Sequence, residues 1–336
     1  MANIKDIAEL AGVSIATVSR TLREPHKVKP ATSKKVNEAI EKLSYKTNLV
    51  ASSLRKQKAD AVIVAVPDLH NSFIAGLVQG VENVARENGI KVMLGVTEGK
   101  QELLDRHYEM VAGKQADGMI VLDVNTPSAI INNASGKPLP IVLTCEYEAT
   151  LLCPRVRFDN IEVAAGAVSY LVSLGHKDVA YISGSRTLRM SRDRQSGFRL
   201  GLRRAGLTVN ESIIAGGDYR IETGVEATQA LIESGEKFTA IVCESDEIAL
   251  GAIHTLAEAG LKVPDDISVL GMDNIRFAQY GNPSLTTIAL KSSQVGEQAM
   301  RLLLDYYLDA EAANREIILP HQLIKRKSTA QLPSGK

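Results

Sequence analysis

The chain has 336 residues, 45% hydrophobic and 23% charged, with 39 basic and 39 acidic side chains. That length is too great for one ordinary core and implies two or three domains, and the composition is that of a water-soluble globular protein. No apolar run reaches the ~18 residues of a membrane span, and Asp6 and Glu9 stand where an export signal would need its apolar stretch, so a cytoplasmic location is expected.

The first element is a short amphipathic helix, with Ile4, Ile7, Ala8 and Ala11 at helical spacing. Gly12 ends it in a tight turn and Ser14 can cap the helix that follows. Val13, Val18 and Leu22 are expected to close a small core. That leaves Ile15, Ala16, Thr17, Ser19 and Arg20 at the start or on the outer side of helix two. This is helix-turn-helix geometry, in which the N-terminal part of the second helix reaches base edges in the major groove. Arg20 can take a guanine or a phosphate, and Ile15 and Ala16 can meet thymine methyls. A third helix is expected over Ala31 to Leu43, with Thr32 as its cap and Lys34 and Lys35 placed for phosphates. Residues 1–58 hold twelve basic groups against five acids, which leaves 27 basic and 34 acidic groups in the remainder. A basic head on an acidic body fits a DNA-binding module joined to something that is not one.

The run "IKDIAELAGVSIATVSRTL" resembles the headpiece of the LacI/GalR transcription regulators almost position by position. The resemblance implies DNA contacts from Ile4, Ser14, Ile15, Ala16, Thr17, Ser19, Arg20, Lys34, Leu54 and Arg55. Leu54 is similar in position to a leucine that the family's hinge helix wedges into the minor groove, a device that trades unstacking for contacts on bent DNA. Here the linker departs from the family, with Thr47 for the usual proline and Ser52 for the usual arginine. Both changes weaken a short helix, so a hinge that bends DNA weakly and an unstructured linker both stay open.

From Ala61 the texture becomes alternating strand and helix. Strands are expected at "AVIVAVP", "KVMLGV", "DGMIVLD", Lys137 to Thr144, Pro154 to Phe158, "DVAYIS", "FTAIVC" and "ISVLGMD". Helices are expected over Phe73 to Asn88, Leu103 to Val111, Asn160 to Leu174, Ser191 to Ala205, Glu222 to Ser234 and Asp246 to Ala259. Such alternation implies crossover helices on parallel sheets, in two similar units. The fold expected is an N-terminal all-α helix-turn-helix headpiece plus an α/β periplasmic-binding-protein-like core of two doubly wound parallel-sheet subdomains. The family resemblance adds crossings near Leu290 and Pro320. The expected division is then a headpiece at 1–46 and a hinge at 47–59. One core subdomain takes 60–159 with 291–320, and the other 160–290 with 321–336. The stretches "LGHKDVAYISG", "ESDEIALGAI" and "GLKVPDDISVLGMDN" carry the resemblance through this core.

Ligands of open α/β sheets bind beyond the carboxyl ends of the strands, here in the cleft between the two units. By position Phe73, Arg194, Tyr219 and Asp273 resemble the family's effector contacts, and Asp159 and Asp246 also follow strands. The guanidinium and carboxylates can bond hydroxyls or ring nitrogens, and the two aromatics offer faces to a ring. The segments "VPDLHNSF" and "RVRFDN" look more like the family's cytidine-responsive branch than its lactose-responsive one, which implies a nucleoside effector, most simply cytidine. A sugar- or purine-responsive regulator, one acting with a co-repressor or an accessory regulatory protein, and a solute-binding protein stay open as alternatives.

Catalysis is not expected. The chain has no G-x-x-x-x-G-K-[ST] loop, no G-x-G-x-x-G after the first strand, no G-x-S-x-G elbow and no H-E-x-x-H. Its six histidines have no metal-ligand spacing. The three cysteines, Cys145, Cys153 and Cys243, form no C-x-x-C pair and are expected to be buried and inert. The resemblance implies a homodimer on a pseudo-palindromic operator, with dimer contacts from the helix at Phe73 to Arg86. Induction by release of DNA is the default response to effector, and co-repression the alternative.

Overall fold

The computed structural model describes residues 3–45, 58–122, 139–146, 153–308 and 315–333. Contacts divide the chain into two compact units, Met1–Gln57 and Lys58–Lys336.

Among the described residues the first unit contains three α-helices, α1 (Ile4–Ala11), α2 (Ile15–Arg23) and α3 (Pro30–Lys42). The Asn3 side chain accepts from the Lys5 and Asp6 amides while the Asp6 carboxylate accepts from the Asn3 amide, a reciprocal cap that satisfies free helix donors. Gly12 turns the chain in the left-handed region at φ 64°, which costs a residue without a Cβ nothing. Ile7, Ala8, Ala11, Val18, Val36 and Ala39 form the core. Two expectations are corrected. Leu22 is 36% exposed, because Thr21 takes the inward position and satisfies its hydroxyl on the Thr17 carbonyl. Thr32 does not cap α3, which begins at Pro30, a residue whose fixed φ suits the first helical position. The hinge residues Leu54 and Arg55 lie outside the described residues.

The second unit contains two six-stranded sheets. The first has β1 (Ala61–Val66), β2 (Lys91–Val96), β3 (Gly118–Val121), β4 (Ile141–Thr144), β5 (Arg155–Phe158) and β11 (Glu316–Leu319), in the order β11-β5-β4-β3-β1-β2. The second has β6 (Val179–Ser183), β7 (Ile214–Gly216), β8 (Ala240–Cys243), β9 (Ser268–Asp273), β10 (Thr286–Ala289) and β12 (Gln322–Ile324), in the order β12-β10-β9-β8-β6-β7. All described pairings are parallel except β10 with β12. Sequence explains the centre of each sheet: "AVIVAV" and "AIVC" are buried along their whole length, as strands covered on both faces must be. In each sheet the strand order reverses beside the first strand, β1 or β6, and that switch point opens a crevice at the carboxyl ends.

The helices are α4 (Ser72–Glu87), α5 (Gln101–Ala112), α6 (Asn160–Ser173), α7 (Arg189–Arg204), α8 (Ile221–Glu233), α9 (Asp246–Glu258) and α10 (Ser292–Leu308). The sequence reading places no element at α10, β7, β10, β11 or β12. For α10 the signal exists, since Val295, Ala299, Leu302 and Leu303 lie at helical spacing and are buried. This helix packs on α4 at backbone distance: a Cβ on Gly80 would fall 2.0 Å from the Ser293 carbonyl oxygen, and one on Gly296 the same distance from that of Leu77. Sheet membership changes after Phe158, after Ala289 and after Leu319, so three connections join the two lobes. Among the described residues, no helix is long and apolar enough to cross a membrane.

Candidate functional site

In the headpiece, Ser14 begins α2 by accepting from the Thr17 amide at 3.1 Å, and its hydroxyl also bonds that of Thr17 at 2.9 Å. The cap fixes the register of the helix. Val18 then points into the core at 0% exposure, which turns Ile15, Ala16 and Arg20 to solvent. Ile15 is 45% exposed, so its side chain is open to an apolar contact from outside the headpiece. Ser19 and Thr17 are half-buried beside this row, and Lys34 is exposed on α3. Ile4 packs against the headpiece core.

In the second unit, the carboxyl ends of the two sheets face a cleft of about 980 Å³. Phe73, Arg194, Tyr219 and Asp273 all line it. Asp159 and Asp246 do not. Asp159 caps α6 by accepting from the Glu162 amide, and the next residue, Asn160, lines the cleft instead. Asp246 is fully buried, with its carboxylate held by the Ile275 amide and the Thr287 hydroxyl, so it ties α9 to the loop after β9 and to β10.

Arg194 is the centre of the wall. At 3% exposure its Nε donates to Asn160 Oδ1 at 2.9 Å and a terminal nitrogen donates to the Glu244 carbonyl oxygen at 2.5 Å. The Glu244 carboxylate behind it is buried and accepts from the Tyr181 hydroxyl at 2.6 Å, the Tyr219 hydroxyl at 2.8 Å and the Gly184 amide at 2.8 Å. Burial pushes the Glu244 and Asp273 carboxyls up, and the Arg194 guanidinium acts against that on both. Ser191 bonds the Tyr219 hydroxyl at 2.7 Å, so this phenol is locked and its ring is presented by the network. The ring also lies over Gly184, where a Cβ would fall 2.4 Å from it. Only a glycine lets the aromatic approach that closely.

Asp273 ends β9 at φ 111° and Asn274 follows at φ 58°. This non-glycine backbone is strained, and such strain concentrates where a side chain must be aimed. Residues the sequence reading passed over include Glu146, Glu247, Phe158 and Phe277, all in the lining. Glu146 and Glu247 carried no motif, and their positions depend on how the two lobes meet. The three cysteines are buried, and burial pushes the Cys145 and Cys153 thiols up to about 12.

Residues 3–48 match the model of the bacterial regulatory proteins, lacI family, and residues 168–329 that of the periplasmic binding protein-like domain. The chain is 37% identical to the catabolite control protein A of Priestia megaterium, over 97% of this chain and 98% of that protein. It is 35% identical to the HTH-type transcriptional repressor CytR of Escherichia coli K12, over 99% and 97%. Its fold superposes on the Lac repressor dimer bound to operator and the anti-inducer ONPF with a TM-score of 0.87 at 27% identity, covering 98% of this chain and 99% of that one.

Proposed function

The chain belongs to the LacI family of bacterial regulatory proteins, an effector-regulated DNA-binding transcriptional repressor rather than an enzyme, and from that premise we propose which residues carry the two activities. The headpiece reads an operator through Ile15, Ala16 and Arg20 on the open side of α2, with Lys34 on phosphate. The observation that supports this is the capped helix with its apolar residue turned to solvent, as a thymine methyl would require. An Arg20→Ala variant is expected to relax specificity at one base pair in a mobility-shift selection. A uniform loss across sequences would assign Arg20 to the backbone instead.

The cleft holds a small effector. Arg194 and Asp273 bond its polar edge, and Phe73 and Tyr219 flank its ring. A nucleoside, most simply cytidine, suits two aromatic faces beside a carboxylate better than a bare polyol does. The relative CytR is named an HTH-type transcriptional repressor and the other a catabolite control protein; neither name states an effector, and a sugar-linked effector or an accessory protein stays open. Titration calorimetry against nucleosides, purine bases and sugars tests the assignment, and heat from sugars alone would remove the nucleoside.

Two copies act together, as in the Lac repressor dimer. Leu69, Leu94 and Val96 of the first lobe are exposed apolar side chains that a second copy would cover, whereas the exposed Ile221 and Phe277 of the second line the cleft. Effector binding changes operator affinity because the effector prefers one arrangement of the lobes. Release of DNA is the response we assign, and mobility shifts with and without effector measure its sign.

A further inference from the structure

Helix N-termini are the seats that proteins offer to phosphate, since their free amides and the helix dipole both favour an anion. Five helices bring their first turns to this cleft, through Ser72 and Phe73 of α4, Asn160 of α6, Met190 of α7, Ile221 of α8 and Glu247 of α9. Each of those turns already carries a carboxylate of the chain itself. The Glu146 side chain, following β4 in the first lobe, reaches across and accepts from the Arg189 and Met190 amides of α7 in the second, at 2.9 and 3.0 Å. In the opposite sense, Glu247 of α9 in the second lobe accepts from the Ser72 amide of α4 in the first, at 3.1 Å. Asp159 caps α6, and α8 has Glu222 in its first turn with Asp218 accepting from the Arg220 amide just before it.

The remaining charge has the same sign. The described lining contains Asp68, Glu98, Glu146, Asp218, Glu222, Glu247 and Asp273 against Arg194, Arg220 and His70. Arg220 is paired with Asp218 at 2.6 Å. Arg194 gives two of its donors to Asn160 and the Glu244 carbonyl, and its charge faces the carboxyls of both Glu244 and Asp273. Both arginines already face carboxyls, and the other basic group of the described lining, His70, lies near Glu247.

We propose that the cleft takes an uncharged, hydroxyl-bearing effector and refuses its phosphorylated form, because Glu146 and Glu247 occupy the two amide seats that join the lobes. The proposal rests on the cleft being the effector site and adds the charge class of what it accepts. A phosphoryl group would have to displace a carboxylate that links the lobes and then sit among like charges. Burial pushes both carboxyls up, and a protonated carboxyl still fills its seat, so the refusal has a steric part as well as an electrostatic one.

The test is titration calorimetry of the full chain with inorganic phosphate, cytidine 5′-monophosphate and glucose 6-phosphate, beside cytidine and glucose. The wild type is expected to give no saturable heat with the three phosphate-bearing probes at millimolar concentration. The double variant Glu146→Ala, Glu247→Ala vacates both seats and is expected to bind inorganic phosphate about tenfold or more tightly than wild type. If that variant unfolds, Glu146→Gln with Glu247→Gln keeps the shape, removes the charge and is expected to show a smaller gain of the same sign. Wild-type binding of a phosphorylated probe as tight as its neutral counterpart would overturn the proposal. A folded double variant that still ignores phosphate would overturn it as well. Should cytidine give no heat while the variant gains phosphate, the nucleoside assignment fails and the charge rule stands.

Discussion

Removing the Arg194 charge tests the cleft wall as a single electrostatic object. In Arg194→Met the chain keeps a long apolar stem but loses the donors to Asn160 Oδ1 and the Glu244 carbonyl, and with them the cation facing the buried Glu244 carboxyl and the half-buried Asp273 one. Breaking a buried charge arrangement by deleting one partner costs about 3–5 kcal/mol, a large share of the ~5–15 kcal/mol that holds a typical domain. The sign with pH follows from the carboxyls. Their folded pKa values already lie above the unfolded ones because of burial, and without Arg194 they rise further. A group raised in the folded state contributes stability below its unfolded pKa and loses it as pH climbs through the folded one. The variant should therefore be closer to wild type at pH 5 than at pH 8. Urea unfolding followed by circular dichroism measures this, the chain having no tryptophan to report by fluorescence. Arg194→Lys restores the charge and should restore the wild-type pH dependence, though not both hydrogen bonds. An equal deficit at both pH values would show that Arg194 acts by packing, and a deficit below about 1 kcal/mol would refute the network altogether.

Three further outcomes follow from the core. Gly80→Ala should cost about 3 kcal/mol by the same assay, because its new methyl would meet the Ser293 carbonyl and force α10 off α4. A cost near zero would mean that the two helices separate freely. Asp246, pushed up to about 7 by burial, should make the wild type lose stability between pH 4 and 7 at up to about 1.4 kcal/mol per unit, and Asp246→Asn should flatten that slope. Parallel curves for the two proteins would reject the assignment. Asp273→Gly should raise core stability by about 1 kcal/mol while abolishing effector heat in calorimetry, and retention of that heat would remove Asp273 from the site.

Local signals made the headpiece readable. Gly12 and Ser14 each act within four residues of themselves, and caps and turns of that kind are written where they operate. The strands β1, β6, β8 and β9 were equally open, because a strand buried on both faces must be apolar throughout. The edge strands of the second sheet were not. β7 is three residues long and β12 lies at the margin of its sheet, so neither needs a pattern that distinguishes it from loop. For the site, Arg194 was reached through the family resemblance, and Asp273 also from its place at the end of a strand. The same rule also selected Asp159 and Asp246, because a carboxylate after a strand serves equally well as the cap of the next helix or as its anchor. Glu146 and Glu247 were beyond any local rule. Each finds its amide partner in the opposite lobe, more than forty residues away in the first case and 175 in the second.

Asp273 shows how the fold resolves that ambiguity. A backbone at φ 111° costs about 1–3 kcal/mol for a residue with a Cβ, and glycine would adopt it freely. The surroundings hold it nonetheless: β9 pairs with β10 through Asp273 itself, the Leu290 amide donates to its carbonyl at 3.3 Å, and Asn274 is fixed by the Thr287 hydroxyl and by Arg326. Nothing in that scaffold requires a carboxylate. Asp246, the other acid of this corner, is consumed by structure, with both oxygens bonded and no face on the cleft. On the proposed assignment the strain is tolerated for the side chain and not for the turn: Asp273 lines the cleft, and Asp246 keeps its strand end in place.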